Sequence, residues 1–424
     1  MGSLKGAVKS ALPAWAERPA RKLYSNVMDF RAGRLLRKAA KWRTHGDVLR
    51  VAFLAYVPGS WDMQRYVFEE FRSRENVLVD VIVLPNYGND MRFTKEYGGE
   101  LEFFKELYPD AIVAYQEDGS LFDLAAHGYD YVFYQSPYDE HYPKAYRSTS
   151  VMKHSKVCYI PYAFYGSSAF DSTVGNRAFT RNAYFYFANC EAQFKLQEAQ
   201  FAKTLAAGIQ HFEFLGFPLF ERYLSAGDVD RKKILWTPRW SYDEKVGGSH
   251  FLEYKDEIID LKRRNPELSI TVRPHPMMFA ELRNKGLLSA EGEQRFKEEC
   301  ESAGIALSLD NTLEDDLLGA GILLSDYSSI LVPYFATGRP VVYCDGGFEL
   351  TGTMEELSKG MYIVRSWTEV EESLDDVLSG GDSMKEARKR IVNESIGDSI
   401  GASERIADCV IRDYMSSLER ACEQ

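Results

Sequence analysis

The stretch ILLSDYSSILVPYFATGRPVVYCD, residues 322–345, decides how the chain is read. An apolar, β-prone run ends at Ser325-Asp326, and a polar turn of Tyr327, Ser328 and Ser329 follows. A second apolar segment of helical character then leads through Gly338-Arg339-Pro340 into another β-prone run. This is a strand, a turn, a helix and a strand, the repeating unit of a parallel sheet. In such a unit the N–H groups and hydroxyls of the turn gather at a helix N-terminus, where the donors and the helix dipole favour a phosphate. Ordinary N-capping by Asp326 or Ser328 would leave the same sequence.

The pattern extends in both directions. Upstream, VLRVAFLAY (48–56), VLVDVIVLP (77–85), DAIVAY (110–115), YDYVFYQ (129–135), KVCYIPY (156–162), YFYFAN (184–189) and HFEFLGF (211–217) form one series of strands. After the polar stretch Ser225–Lys233 comes a second: ILWTP (234–238), LSITVRP (268–274), IALSLD (305–310), GILLSD (321–326), PVVYCD (340–345) and MYIVRS (361–366). Segments of helical period separate them, so the expected fold is α/β, with two Rossmann-type domains facing each other across a cleft. The expected divisions are a basic helical arm at 1–47, an acceptor domain at 48–224, a donor domain at 225–400 and a terminal helix at 401–424.

A chain of 424 residues with 45% hydrophobic and 27% charged residues is ordinary globular material, which excludes disorder and fibrous repeats. The net charge of −12 argues against a nucleic-acid partner. Residues 1–50 nevertheless hold twelve Lys and Arg against Glu17, Asp29 and Asp47. Leu4, Val8, Leu12 and Trp15 are spaced like one helix face, and Leu35, Leu36, Ala39 and Trp42 like another. Such an arm suits an anionic membrane surface, or equally a solvated helix packed on the body. The six cysteines include no CxxC pair, and no stretch offers a signal-peptide core or 18 uninterrupted apolar residues, so a cytoplasmic protein is expected, peripheral to the membrane's inner face if the arm binds there. No acidic DxD pair stands at a strand end, so neither a tightly bound metal nor a cofactor is expected.

Two more strand ends carry chemistry. LSITVRPHPMMF (268–279) ends in Arg273-Pro274-His275-Pro276, whose prolines stop the strand and present the imidazole at its C-terminal end. A hydrogen bond to a loop carbonyl is the plainer role for His275. ILWTPRWSYDE (234–244) places Thr237 and Arg239 after a strand, where a hydroxyl and a cation could meet a phosphate, although a loop arginine is usually just solvated. Parallel strands of one sheet deliver these ends to one edge, so the three signals reinforce each other.

In the order ILWTPRW, TVRPHP and LLSDYSSILVPYFATGRPVVYCD, the chain resembles the C-terminal half of the CDP-glycerol glycerophosphotransferase family, the teichoic acid and capsule polymerases of GT-B fold. The resemblance covers about residues 211–365 and includes Gly216-Phe217-Pro218 and Lys359-Gly360-Met361-Tyr362. It implies that His275 contacts the donor's phosphates, that Asp326, Ser328 and Ser329 hold the CDP moiety, and that Lys359 belongs to the substrate-binding set. The family's Trp-His-Gly-Thr sequence, whose histidine is a proposed base for the acceptor hydroxyl, is replaced here by FYQSPYDEHYP (133–143). Asp139 or His141 then takes that role, the acceptor chemistry differs, or the segment is only a turn.

The expected reaction is attack of an acceptor hydroxyl, on a glycan or polyol-phosphate chain that would be lipid-linked if the arm binds membrane, upon the β-phosphorus of a CDP-alcohol, with CMP leaving. His275, Arg239 and Arg273 would neutralise phosphate charge, Ser328 and Ser329 would bind the nucleotide phosphate, and Asp326 would fix the turn or the ribose. The alternatives are a GT-B glycosyltransferase using a nucleotide sugar and a catalytically silent subunit of a polymer synthase complex.

Overall fold

The computed structural model describes residues 14–41, 46–86, 95–162, 177–242, 248–309 and 313–422. Each series of expected strands forms its own parallel sheet. The first holds β1 (Leu49–Ala55), β2 (Val77–Val83), β3 (Ile112–Val113), β4 (Tyr131–Tyr134), β5 (Lys156–Tyr159), β6 (Phe185–Phe187) and β7 (His211–Glu213), in the order β3-β2-β1-β4-β5-β6-β7. The second holds β8 (Lys233–Thr237), β9 (Ser269–Val272), β10 (Ala306–Leu307), β11 (Ile322–Asp326), β12 (Val341–Cys344) and β13 (Tyr362–Val364), in the order β10-β9-β8-β11-β12-β13. Strands β4, β5, β11 and β12 are buried at every residue. That is why their sequences run continuously apolar instead of alternating.

In each sheet the order reverses beside its first strand, between β1 and β4 and between β8 and β11. Open α/β sheets bind ligands in the crevice outside the carboxyl ends of the strands at such a switch point. Contacts between the domains bring the two carboxyl edges face to face. Cys190, just past β6, lies beside the Thr353 side chain, past β12. Helix Asp62–Ser73, just past β1, meets helix Leu313–Gly319, past β10, where Tyr66 OH donates to Glu314 Oε2 at 3.0 Å.

The chain crosses between domains twice, and the crossings touch. Gly216 has φ +89°, and a Cβ there would lie 2.7 Å from Ser399 Cα. Both the left-handed backbone and the close approach require glycine. This kink also ends the expected strand 211–217 at Glu213. Helix Ala402–Cys422 then returns to the first sheet, where Asp413 accepts from Lys156 Nζ at 2.5 Å and from Tyr184 OH at 2.9 Å. Burial opposes the Asp413 charge, but Lys156 outweighs it and holds the carboxyl below its usual range.

The basic arm is one helix, Ala14–Ala39. Leu4, Val8, Leu12 and Trp42 lie outside the described residues, as does the Trp15 side chain. Ala32, Leu36 and Ala39 are buried in the core, and Asp29 pairs with Arg177 at 2.9 Å, so this face packs on the body. The opposite side exposes Leu23, Val27 and Phe30, followed by Arg34, Arg37 and Lys38.

At the domain contact, burial and the neighbouring Glu314 push the Asp62 carboxyl up to about 6. The folded state therefore holds this proton more tightly than the unfolded chain, whose aspartate titrates near about 4, so stability is lost as pH rises from about 4 through about 6. Asp62→Asn should be more stable than the parent at pH 7 by about 1 to 3 kcal/mol, with the difference gone below about pH 4. Urea unfolding across pH checks this, and a difference independent of pH would contradict it.

Candidate active site

The carboxyl edge of the second sheet is organised by Asp326, the last residue of β11, which is 0% exposed. Its Oδ2 accepts from Arg239 N at 2.7 Å and from His250 N at 3.3 Å, and its Oδ1 lies 2.7 Å from His250 Nδ1. The carboxylate is thus turned inward and saturated by loop donors. Of the two roles expected of it, fixing the turn or the ribose, this geometry is that of a residue that fixes the edge.

Arg239 is likewise drawn in. Its guanidinium donates to Tyr327 O at 2.6 Å and lies 5.2 Å over the Phe348 ring, and burial lowers its pKa from the ordinary value. Thr237 is also committed to the protein. It pairs with Ser325 across the register, and its hydroxyl donates its proton to Ser325 Oγ at 2.7 Å.

His275 is exposed at the end of β9's loop, with its ring 6.1 Å from that of Trp240. Its Nδ1 accepts from Met277 N at 3.2 Å, so in the neutral ring the proton sits on Nε2, which is then the ring's donor. Partial burial and the adjacent Arg239 hold its pKa below the usual value. Arg273 is shared: its Nη1 lies 2.6 Å from Asp316 Oδ2, so its charge is already balanced within the protein.

In the turn after β11 the cap position of helix Leu331–Ala336 is Ile330, without a side-chain cap, so neither Asp326 nor Ser328 is an N-cap. Ser328 Oγ accepts a long 3.4 Å bond from Ile330 N, and Ser329 is exposed. Lys359 is not at this edge. It precedes β13, which runs parallel to its neighbours, so it lies at the opposite, amino-terminal edge, where it pairs with Glu356.

On the first sheet the switch point is a second polar node. Gln135 Oε1 accepts from Tyr56 N and Val57 N at 2.8 and 2.9 Å, which ties the loops after β1 and β4 together. Tyr56 OH donates to Ser136 Oγ at 2.6 Å and lies 2.9 Å from His141 Nδ1. Burial lowers the His141 pKa and keeps the ring neutral. The Asp139 carboxylate instead accepts from Ser148 N and Ser148 Oγ at 2.7 and 2.9 Å. It orders the start of helix Ser148–Val151, and of the two expected base candidates only His141 remains beside Tyr56.

His250 was not singled out by the sequence. It ends the sequence Gly-Gly-Ser-His, and its partner Asp326 is 76 residues away, so no local signal marks it. The Sγ of Cys344 lies with the His250 and Asp326 ligand-type atoms within 4.8 Å of one another. Burial raises the thiol pKa and keeps it protonated. With the imidazole bonded to the carboxylate, the group is a hydrogen-bonded dyad above a thiol.

Two parallel sheets with opposed carboxyl edges define an α/β protein of GT-B-like fold. Residues 226–411 match the family model CDP-Glycerol:Poly(glycerophosphate) glycerophosphotransferase, so the second domain is similar to that family. No curated protein matches the sequence. Among solved structures, it is similar to a UDP-GlcNAc 2-epimerase from Neisseria meningitidis bound to UDP-GlcNAc, with 13% identity, 86% of this chain and 100% of that one covered, and a TM-score of 0.55. It is also similar to a variant of the wall teichoic acid polymerase TagF, with 14% identity, 96% and 100% covered, and a TM-score of 0.52. At these identities the likeness is one of fold.

Replacing Ser328 and Ser329 together by alanine should weaken CMP binding by about 1 to 3 kcal/mol, the value of charge-assisted bonds to phosphate. Isothermal titration measures it. Unchanged affinity would remove the turn from the nucleotide site.

Proposed function

We propose that the enzyme transfers a polyol phosphate from a CDP-alcohol to a hydroxyl of a teichoic-acid-like or other cell-surface glycan acceptor, releasing CMP. The observation that carries this reading is the convergence of the ends of β8, β9 and β11 on one edge, inside the region that matches the glycerophosphotransferase family. His275 Nε2–H and the Ser328-Ser329 turn bind the diphosphate, and Arg239 adds positive potential from behind. The acceptor oxygen attacks the β-phosphorus in line, and the bridging bond breaks with its electron pair on CMP. His141, neutral and oriented by Tyr56, takes the acceptor proton. TagF, whose structure was also determined after soaking with CDPG, has the same architecture at a TM-score of 0.51.

The assay is release of CMP from CDP-glycerol and CDP-ribitol, against release of UDP from UDP-sugars, in the presence of EDTA. CMP release that persists in EDTA is expected. His275→Ala and His141→Ala should each lower transfer by a factor of about 100 or more at unchanged melting temperature. Asp139→Asn should lower stability first. Release of UDP alone would overturn the reading in favour of a nucleotide-sugar enzyme.

The acceptor reaches the cleft from a membrane in this proposal. Leu23, Val27 and Phe30 form an exposed apolar stripe continued by Arg34, Arg37 and Lys38, a pattern suited to anionic lipid. No helix among the described residues is long and apolar enough to cross a membrane. The triple variant Leu23→Glu, Val27→Glu, Phe30→Glu should lose co-sedimentation with phosphatidylserine vesicles and keep CMP release with a soluble acceptor. Equal co-sedimentation would defeat the membrane assignment.

A further inference from the structure

The loop that carries His250 is held in place by more than its own sequence. Gly248 has φ +80°, and a Cβ there would run into the Phe348 ring; a Cβ on Gly346 would run into the Gly248 backbone. Two glycine backbones therefore touch, and this contact places residues 248–250 against the loop that follows β12. Ser249 Oγ donates to Arg239 O at 2.7 Å, and His250 stacks on Tyr254 with ring centroids 5.1 Å apart. The imidazole is fixed on three sides: by Asp326 at Nδ1, by Tyr254 along its face and by the anchored backbone. Its Nε2 has no hydrogen-bond partner among the described residues, and the side chain is 16% exposed.

We propose that His250 is a catalytic residue of the donor edge, whose Nε2–H contacts the α-phosphate of the nucleotide and stabilises the charge that develops there as CMP departs. This rests on the polyol-phosphate transferase reading and names a residue for it. In the step, the bond from the β-phosphorus to the bridging oxygen breaks and its electron pair stays on the α-phosphate. The acceptor proton leaves on the opposite domain, and the imidazolium keeps its own proton while donating a charged hydrogen bond. Asp326 is the positioning residue. It fixes the tautomer and, as a buried carboxylate, sustains the positive ring.

The electrostatics agree with the geometry. Burial works against the charged imidazole, but the hydrogen bond and charge of Asp326 outweigh it and lift the His250 pKa above its usual value. The groups that face the ring are Asp326 at the end of β11, Cys344 and Asp345 at the end of β12, and Glu253 and Tyr254 on its own helix, while the Arg239 guanidinium past β8 is turned to Tyr327. Glu253 and Asp345 add to the upward shift. His275, beside Arg239, is shifted the other way. The edge thus holds one histidine biased to the charged form and one to the neutral form. The two divide the labour of donating to phosphate.

The test uses His250→Asn, whose amide reaches the Nδ1 position and keeps the bond to Asp326 but has nothing at Nε2. CMP release from CDP-glycerol and CMP binding are both measured between pH 5.5 and 9. For the parent, kcat should fall on the alkaline limb as His250 loses its proton. In His250→Asn, kcat should drop about 10- to 100-fold with KM changed less than threefold, and that alkaline limb should vanish. CMP affinity should fall about tenfold at pH 6 and little at pH 9. Asp326→Asn, if folded, should move the limb to lower pH. An unchanged kcat and pH profile in a His250→Asn protein with the parent's melting temperature would overturn the proposal and leave the transferase reading standing. A parent protein that neither binds CMP nor releases it would overturn both.

Discussion

A carboxylate with no exposure to water costs several kcal/mol unless donors replace its hydration. Asp326 meets that requirement with two backbone N–H groups and an imidazole, all from the loop between β8 and the helix that begins at Phe251. The consequence reaches across the carboxyl edge of the second sheet. Once that loop is tied to the end of β11, Arg239 is drawn under Tyr327, His250 is oriented, and the turn that carries Ser328 and Ser329 takes its place beside them. The charge is therefore less a ligand contact than the fixture on which the contacts are mounted.

Opposite this edge stands the node of Tyr56, Gln135, Ser136 and His141, built on the other switch point by the same topological rule. The two nodes differ in character. The edge of the second sheet offers cations and N–H groups, which suit a diphosphate, whereas the edge of the first offers a neutral imidazole among phenols and a carboxamide, which in the proposed reaction takes a proton from an alcohol. Their relation is set by the crossings at Gly216 and Ser399 and by the final helix, which Asp413 anchors to Lys156 on the first sheet.

Much of the fold was legible in the sequence. The thirteen strands among the described residues were all visible, the central ones because strands buried on both faces read as continuous apolar runs bounded by turn residues. Their ends were not always: the edge strands β3 and β10 shrink to two residues each. At the site, the segment ends were readable and the side-chain directions were not. Thr237 looked like a ligand hydroxyl, but its partner is Ser325, one strand away in register. Asp139 looked like a base, but Ser148, nine residues on, claims both oxygens. His250 was missed for the converse reason, since the residue it bonds is brought near only by the sheet. Lys359 is different: its place before a parallel strand already put it at the wrong edge, so that correction required topology alone.

The central claim is that the nucleotide's phosphates bind at the edge organised by Asp326, and a crystal structure with CMP tests it most directly. The account predicts the phosphate within hydrogen-bond distance of the Tyr327–Ile330 turn and of a ring Nε2, with the Asp326 carboxylate still turned to the loop. A phosphate bound at the amino-terminal edge near Lys359, or on the first sheet at Gln135, would contradict it.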